Sequence, residues 1–150
     1  MATLSEVDYR ALADFRHELR RFHHFSEEAA RGVGLEPQQH QLLLAVRGMP
    51  AGTAATVGAL AERLQLRHHS TVELVDRSEA RGLVRRASHP GDRRQVVVTL
   101  TAGGAGVLRR LSLAHRTELR TVAPRLLAVL GALGDRRAAP HRRRGRARRG

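Results

Sequence analysis

The 150-residue chain has no cysteine, which removes disulfides, thiolate metal sites and thiol redox sensing from consideration. It has no tryptophan, one tyrosine and three phenylalanines, too few rings for the stacking platforms that hold single-stranded nucleic acid. No apolar run approaches the ~20 residues of a membrane span, and the N-terminus opens on polar sequence rather than an apolar leader. A cytoplasmic location with no membrane partner is therefore the expectation. There is no phosphate-binding glycine loop and no G-x-S-x-G elbow. Ser70 beside His69 is adjacency in sequence, not a triad. No enzyme and no cofactor are expected.

Lysine is absent as well, so all 27 basic residues are arginine. Coding-composition bias accounts for that as well as selection for guanidinium chemistry does. Eight of these arginines fall between Arg136 and Gly150 without an acid, leaving +5 of the formal +13 for the rest of the chain. That remainder still suits a polyanionic partner, and the scarcity of rings favours duplex over single strands.

Apolar periodicity divides the chain into helices and one hairpin. From Ser5 to about Ala30, the residues Val7, Leu12, Phe15, Leu19, Phe22 and Phe25 recur at helical spacing between charges. So long an amphipathic helix needs a large surface to cover its stripe, and a partner subunit is a natural one. Pro37 opens a second helix carrying Leu42, Leu43 and Val46. Thr56 caps a short third with Val57, Leu60, Ala61 and Leu64 inward. After a tight turn at Gln65–Leu66, a fourth runs from about Arg67 to Arg81 and stops at Gly82. Leu83–Ala87 and the β-branched Gln95–Leu100 read as strands joined through Pro90-Gly91. Thr101 caps a fifth helix, and Pro124 opens a sixth with Leu126, Leu127, Leu130 and Leu133.

Two short helices at a tight turn, followed by a strand–turn–strand hairpin, form a winged helix-turn-helix pattern. The second helix of such a unit presents side chains to base edges in the major groove, while the hairpin reaches phosphate or minor groove. On the fourth helix Thr71, Leu74, Val75 and Ser78 share one face, expected to pack inward. The groove-facing candidates are Arg67, His68, His69, Ser70 and Glu73, with Arg77 on backbone. A glutamate there accepts from cytosine N4 and repels phosphate, so it contributes selectivity. The wing offers Arg85, Arg86, Asp92, Arg93 and Arg94. An arginine at its tip suits a narrow minor groove, with Asp92 holding one neighbour extended. The bland alternative for both sets is a solvated charged surface.

The segments GLEPQQHQLLLAV (34–46), TVGALAERLQLRHHSTVELVDRSEARGLVRR (56–86) and GDRRQVVVTLTAGG (91–104) resemble the MarR family of multiple-antibiotic-resistance-type regulators. The most specific feature is the DRR at 92–94 followed by Leu100-Thr101-x-x-Gly104. The resemblance covers about residues 5 to 133. It implies a mainly α fold with a small β-hairpin wing, as one domain over 1–134. Helices at 5–31 and 101–134 would dimerise, and 36–100 would form the winged DNA-binding lobe. It further implies a homodimer on a pseudo-palindromic double-stranded operator, usually as a repressor released by a small, often aromatic ligand. Arg94 would be the minor-groove arginine and Asp92 its positioning acid, with His69 and Ser70 in the base-reading turn. A ligand pocket including Arg16, His17 and His40 also follows from the resemblance alone.

Three features depart from that pattern. Ser78 stands where leucine is usual on the buried side of the fourth helix. Gly103, Gly104 and Gly106 crowd the start of the fifth, where each interior glycine costs about 1 kcal/mol. The sixth helix is short and leads into the arginine tail from residue 135, which is expected to be disordered by like-charge repulsion. That tail reads as a phosphate-binding arm, as inert, or as an oddity of GC-rich coding sequence. Nine histidines raise a metal site, through His17 with His23 or His24, or His40 with His115. No pair has i,i+4 spacing and no acid cluster completes a ligand set, so no metal is expected. The alternative to an operator-specific regulator is a non-specific or architectural DNA-binding protein without a ligand switch.

Overall fold

The computed structural model describes residues 4–134; the arginine-rich tail lies outside them. Five helices and one hairpin follow in order: α1 (Glu6–Gly32), α2 (Pro37–Arg47), α3 (Val57–Leu64), α4 (His68–Ala80), β1 (Val84–Ser88), β2 (Val96–Leu100) and α5 (Ala102–Gly134). The mainly α, winged helix-turn-helix architecture expected from the sequence is present. Helix α1 starts on a capping box in which the Ser5 N–H donates to the Asp8 carboxylate at 2.8 Å and the Asp8 N–H returns to Ser5 Oγ. It ends where Gly34 takes φ +77°, a conformation that favours glycine.

One core serves the lobe built from α2 to β2. Leu42 and Leu43 of α2, Leu60 of α3, Leu74 and Val75 of α4, Val84 and Val98 of the hairpin, and Leu108 and Leu111 of α5 are all buried in it. The inward face expected of α4, Thr71, Leu74, Val75 and Ser78, is buried throughout. Ser78 does not leave an orphan polar group: its Oγ donates to the Leu74 carbonyl at 2.8 Å. The hairpin pairs antiparallel with Arg86 opposite Val98 and Ser88 opposite Val96. The sequence reading missed its third leg, since Thr56 bridges Val97 and the Val98 N–H donates to the Ala55 carbonyl at 2.9 Å.

The C-terminal end requires a correction. The expected fifth and sixth helices are one 33-residue helix, with Pro124 inside it. Proline forfeits one hydrogen bond and strains the preceding turn. Here the apolar spacing through Leu119, Val122, Leu126 and Leu130 continues in phase across it, and α5 lies along α1. Packing overrides the local break.

Glycine at 104 is dictated by contact. A Cβ there would lie 1.9 Å from the Leu83 carbonyl oxygen. Around this approach Thr101 Oγ1 donates to the Gly82 carbonyl at 2.6 Å and accepts the Gly104 N–H at 2.9 Å. The cap expected of Thr101 thus also ties α5 to the base of the wing.

The long helices keep much of their apolar surface uncovered. Val7 and Leu12 on α1, and Leu119, Leu127 and Leu130 on α5, are all exposed. No helix among the described residues is long and apolar enough to cross a membrane.

Candidate nucleic-acid interface

The turn between α3 and α4 sets the direction of the second helix. Gln65 closes α3 in the left-handed region at φ 56°, with its Nε2 donating to the Glu62 carbonyl at 2.8 Å. Arg67 occupies the N-cap of α4 and supplies no side-chain cap. The first N–H groups of α4 therefore face outward among Arg67, His68 and His69, all exposed. A helix N-terminus carries partial positive charge, so this end favours anions. Glu73 is exposed and Ser70 half-buried, so five of the sequence candidates lie along one outer edge of α4.

Arg77, the sixth, is engaged within the chain, its guanidinium 3.4 Å from the Glu36 carboxylate. Arg81, which the sequence reading passed over, reaches the same elbow. It donates to Gln39 Oε1 at 2.8 Å and to the Gly34 carbonyl at 2.6 Å. Gln39 Oε1 also accepts the Glu36 N–H at 3.2 Å, so the cap of α2 and the end of α4 share one acceptor. A basic residue just before a helix-ending glycine was the signal available for it.

On the wing, Arg85 is exposed and its Nε donates to Thr99 Oγ1 at 3.3 Å. Arg86 turns back onto α4, pairing with Asp76 and, at 2.5 Å, with Glu79. Partial burial works against its charge, but the bonds from Asp76 and Glu79 outweigh it and hold the guanidinium above its ordinary pKa. The two acids lie three apart, one turn of one face, a pattern that permits a shared cation.

The wing tip is organised by two acceptors. His89 Nδ1 accepts the N–H groups of Gly91 and Asp92 at 3.0 and 3.2 Å, and Asp92 Oδ1 accepts the Arg94 N–H at 3.0 Å. Asp92 thus positions the Arg94 backbone, where a side-chain restraint was expected. A carboxylate bonds a backbone N–H two residues on more readily than it holds a mobile guanidinium. Arg93 and Arg94 are exposed and make no ion pair among the described residues.

The residues expected to form a ligand pocket sit differently from one another. Arg16 and His17 are exposed on α1, whereas His40 is buried on α2. Its ring lies 4.7 Å from that of His115, which is edge-on to Phe22 and Phe25. Burial, and then the charge of His115, lower the His40 pKa to about 4, so it is neutral near pH 7. His115 Nδ1 bonds the Leu111 carbonyl at 2.8 Å, leaving Nε2 to accept the Ser26 hydroxyl at 2.8 Å in the neutral ring. The expected approach of His40 and His115 occurs. Among the described residues no three His, Asp or Glu side chains gather as metal ligands would.

A MarR family model matches residues 33–95, which span the end of α1, the whole helix-turn-helix and most of the wing. This segment is of the MarR family. Solved MarR-family structures share the architecture over a longer stretch. AbsC from Streptomyces coelicolor, a MarR family transcriptional regulator, is 22% identical with a TM-score of 0.69, covering 91% of this chain and 96% of its own. Wild-type MarR from E. coli in its apo form is 21% identical with a TM-score of 0.63, covering 83% and 93%. A mutant E. coli MarR complexed with operator DNA is also 21% identical with a TM-score of 0.61, covering 83% and 90%. At these identities the likeness concerns the fold. No curated protein matches the chain. The MarR family is one of transcription regulators rather than enzymes, and in this MarR-family lobe the outer edge of α4 and the wing tip lie apart from the core.

Proposed function

We propose that this chain is a sequence-specific double-stranded DNA-binding transcription regulator that acts in the cytoplasm as a homodimer. The observation that carries the reading is the outer edge of α4. His68, His69 and Glu73 stand exposed at an uncapped helix start, while the opposite face is locked into the core. An α-helix presented this way fits the major groove, where Glu73 selects for cytosine and the basic residues meet acceptors on bases or phosphate. Arg94, and Arg93 beside it, serve the minor groove at the wing. The MarR-family segment and the operator-bound neighbour support the same assignment.

The exposed apolar stripes of α1 and α5 support self-association, which matches a two-fold protein to a pseudo-palindromic operator. Repression released by a small molecule is the finer reading. A cleft of about 370 Å³ between α2, β2 and α5 is walled by Leu100, Ala105 and Leu108 and flanked by Arg47 and Arg109. It favours an apolar acid as the effector over the set Arg16, His17 and His40.

The high positive charge favours a second reading, an architectural protein that binds any duplex. The two separate in a competition gel shift with duplexes selected from a random pool, at ~0.2 M salt where non-specific affinity has fallen steeply. A regulator retains its selected duplex against excess unrelated DNA. Equal competition by unrelated DNA would falsify the regulator and leave the architectural protein.

A further inference from the structure

We propose that Arg86 is a positioning residue for DNA reading rather than a phosphate contact, its guanidinium forking between Asp76 and Glu79 to set the angle of the wing to α4. The inference rests on the DNA-binding reading above and deepens it.

Three bonds from one residue meet two carboxylates on one helical turn. One Arg86 terminal nitrogen pairs with Asp76, the other with Glu79 Oε2, and the Arg86 N–H donates to Glu79 Oε1 at 3.0 Å. The Arg86 side chain is 28% exposed, against 58% for Asp76 and 40% for Glu79, so the cation is the more enclosed member. Its strand position is opposite Val98, which is buried, and this end of the hairpin is anchored in the core. The fork therefore spans from an anchored strand to the outer face of α4, the two elements that must contact DNA together. Asp76 and Glu79 left alone on that face would repel phosphate, and Arg86 neutralises them. The free cations Arg93 and Arg94 remain for the nucleic acid.

A planar guanidinium satisfies two acceptors at fixed separation, and an ammonium does not. Arg86→Lys keeps the charge and loses the fork. Asp76→Asn with Glu79→Gln keeps the shapes and removes the charges that attract Arg86 and repel DNA. Fluorescence anisotropy on full-length protein, with the selected duplex and a scrambled duplex over a salt series, reads both. If Arg86 positions, each variant lowers the ratio of selected to scrambled affinity about ten-fold, the size of a lost charged hydrogen bond. Scrambled-duplex affinity and the salt slope of Arg86→Lys then stay at the wild-type values. A variant that was merely less folded would lose both affinities together, so the ratio isolates positioning. Arg94→Ala serves as the contrast, its slope falling by about 0.9 for one lost phosphate-type contact.

The proposal is overturned if Arg86→Lys keeps the wild-type ratio, or if the Asn/Gln pair binds the selected duplex more tightly at an unchanged ratio. If the wild-type protein itself does not discriminate, the regulator reading fails first and this one with it. That outcome is recognised before any variant is compared.

Discussion

Two glycines two residues apart on α5 are expected to respond to alanine with opposite signs. Helix propensity favours alanine over glycine by about 1 kcal/mol at an interior position, and nothing lies within 4 Å of a Cβ at Gly106. Gly106→Ala should therefore raise stability by about 0.5–1 kcal/mol. At Gly104 the same gain meets a contact of 1.9 Å with the Leu83 carbonyl oxygen, far inside van der Waals range. That atom belongs to backbone, so it cannot swing aside as a side-chain tip would, and relief requires α5 to move off the wing base by more than about 1 Å. Overpacking of this kind costs about 1–3 kcal/mol. The shift also strains the bonds that Thr101 makes there, from its N–H to Leu83 at 3.1 Å and from its Oγ1 to Gly82 at 2.6 Å, each worth about 1 kcal/mol. Contact outweighs propensity, and Gly104→Ala should lower stability by about 2–3 kcal/mol. Urea unfolding at one fixed protein concentration, since self-association shifts midpoints, reads both variants as midpoint changes at constant slope. A Gly104→Ala protein as stable as the wild type would refute the close approach of α5 to Leu83.

Acid should weaken the fold through His40. Its folded pKa of about 4 lies below the ordinary 6.5, so the stability it contributes is complete above pH 6.5. That contribution is lost as pH falls toward 4, at most about 3 kcal/mol and less where water screens the site. Urea midpoints at pH 7 and 4.5 should draw together in His40→Leu, and an unchanged acid sensitivity would remove His40 as a cause. Arg94→Ala should weaken binding to the selected duplex by about 1–3 kcal/mol while sedimentation shows the same oligomer, and unaltered affinity would take the wing tip out of the interface. Leu127→Glu with Leu130→Glu places two charges on the exposed stripe of α5 and should abolish the dimer in sedimentation at micromolar protein. Persistence of that species would move the interface elsewhere.

The inward face of α4 was legible because its periodicity is imposed by burial: Thr71, Leu74, Val75 and Ser78 recur at helical spacing and all four are enclosed. The hairpin was legible for the parallel reason, through the β-branched run Val96–Leu100 closed against Val84. What escaped depends on partners distant in sequence. Pro124 reads locally as a helix start, and only the lie of α5 along α1 makes it internal. Glycine at 104 reads as a propensity defect until Leu83 is found against it. Ala55 and Thr56 carry no strand signal, yet they join the hairpin through Val97 and Val98.

The candidate interface shows the same division at the level of charge. Nothing in the local sequence separates Arg77, Arg86, Arg93 and Arg94, four exposed-looking arginines near acids. Their fates diverge because Glu36, Asp76 and Glu79 stand within reach of the first two, whereas Asp92 spends its carboxylate on the Arg94 backbone N–H. Counting basic residues therefore overstates the charge available to a phosphate chain. The cations left free cluster at the start of α4 and the tip of the wing, the two ends a duplex would meet. The arginines spent internally hold those ends at a set separation, so the excess of guanidinium in this lobe divides between contact and framework.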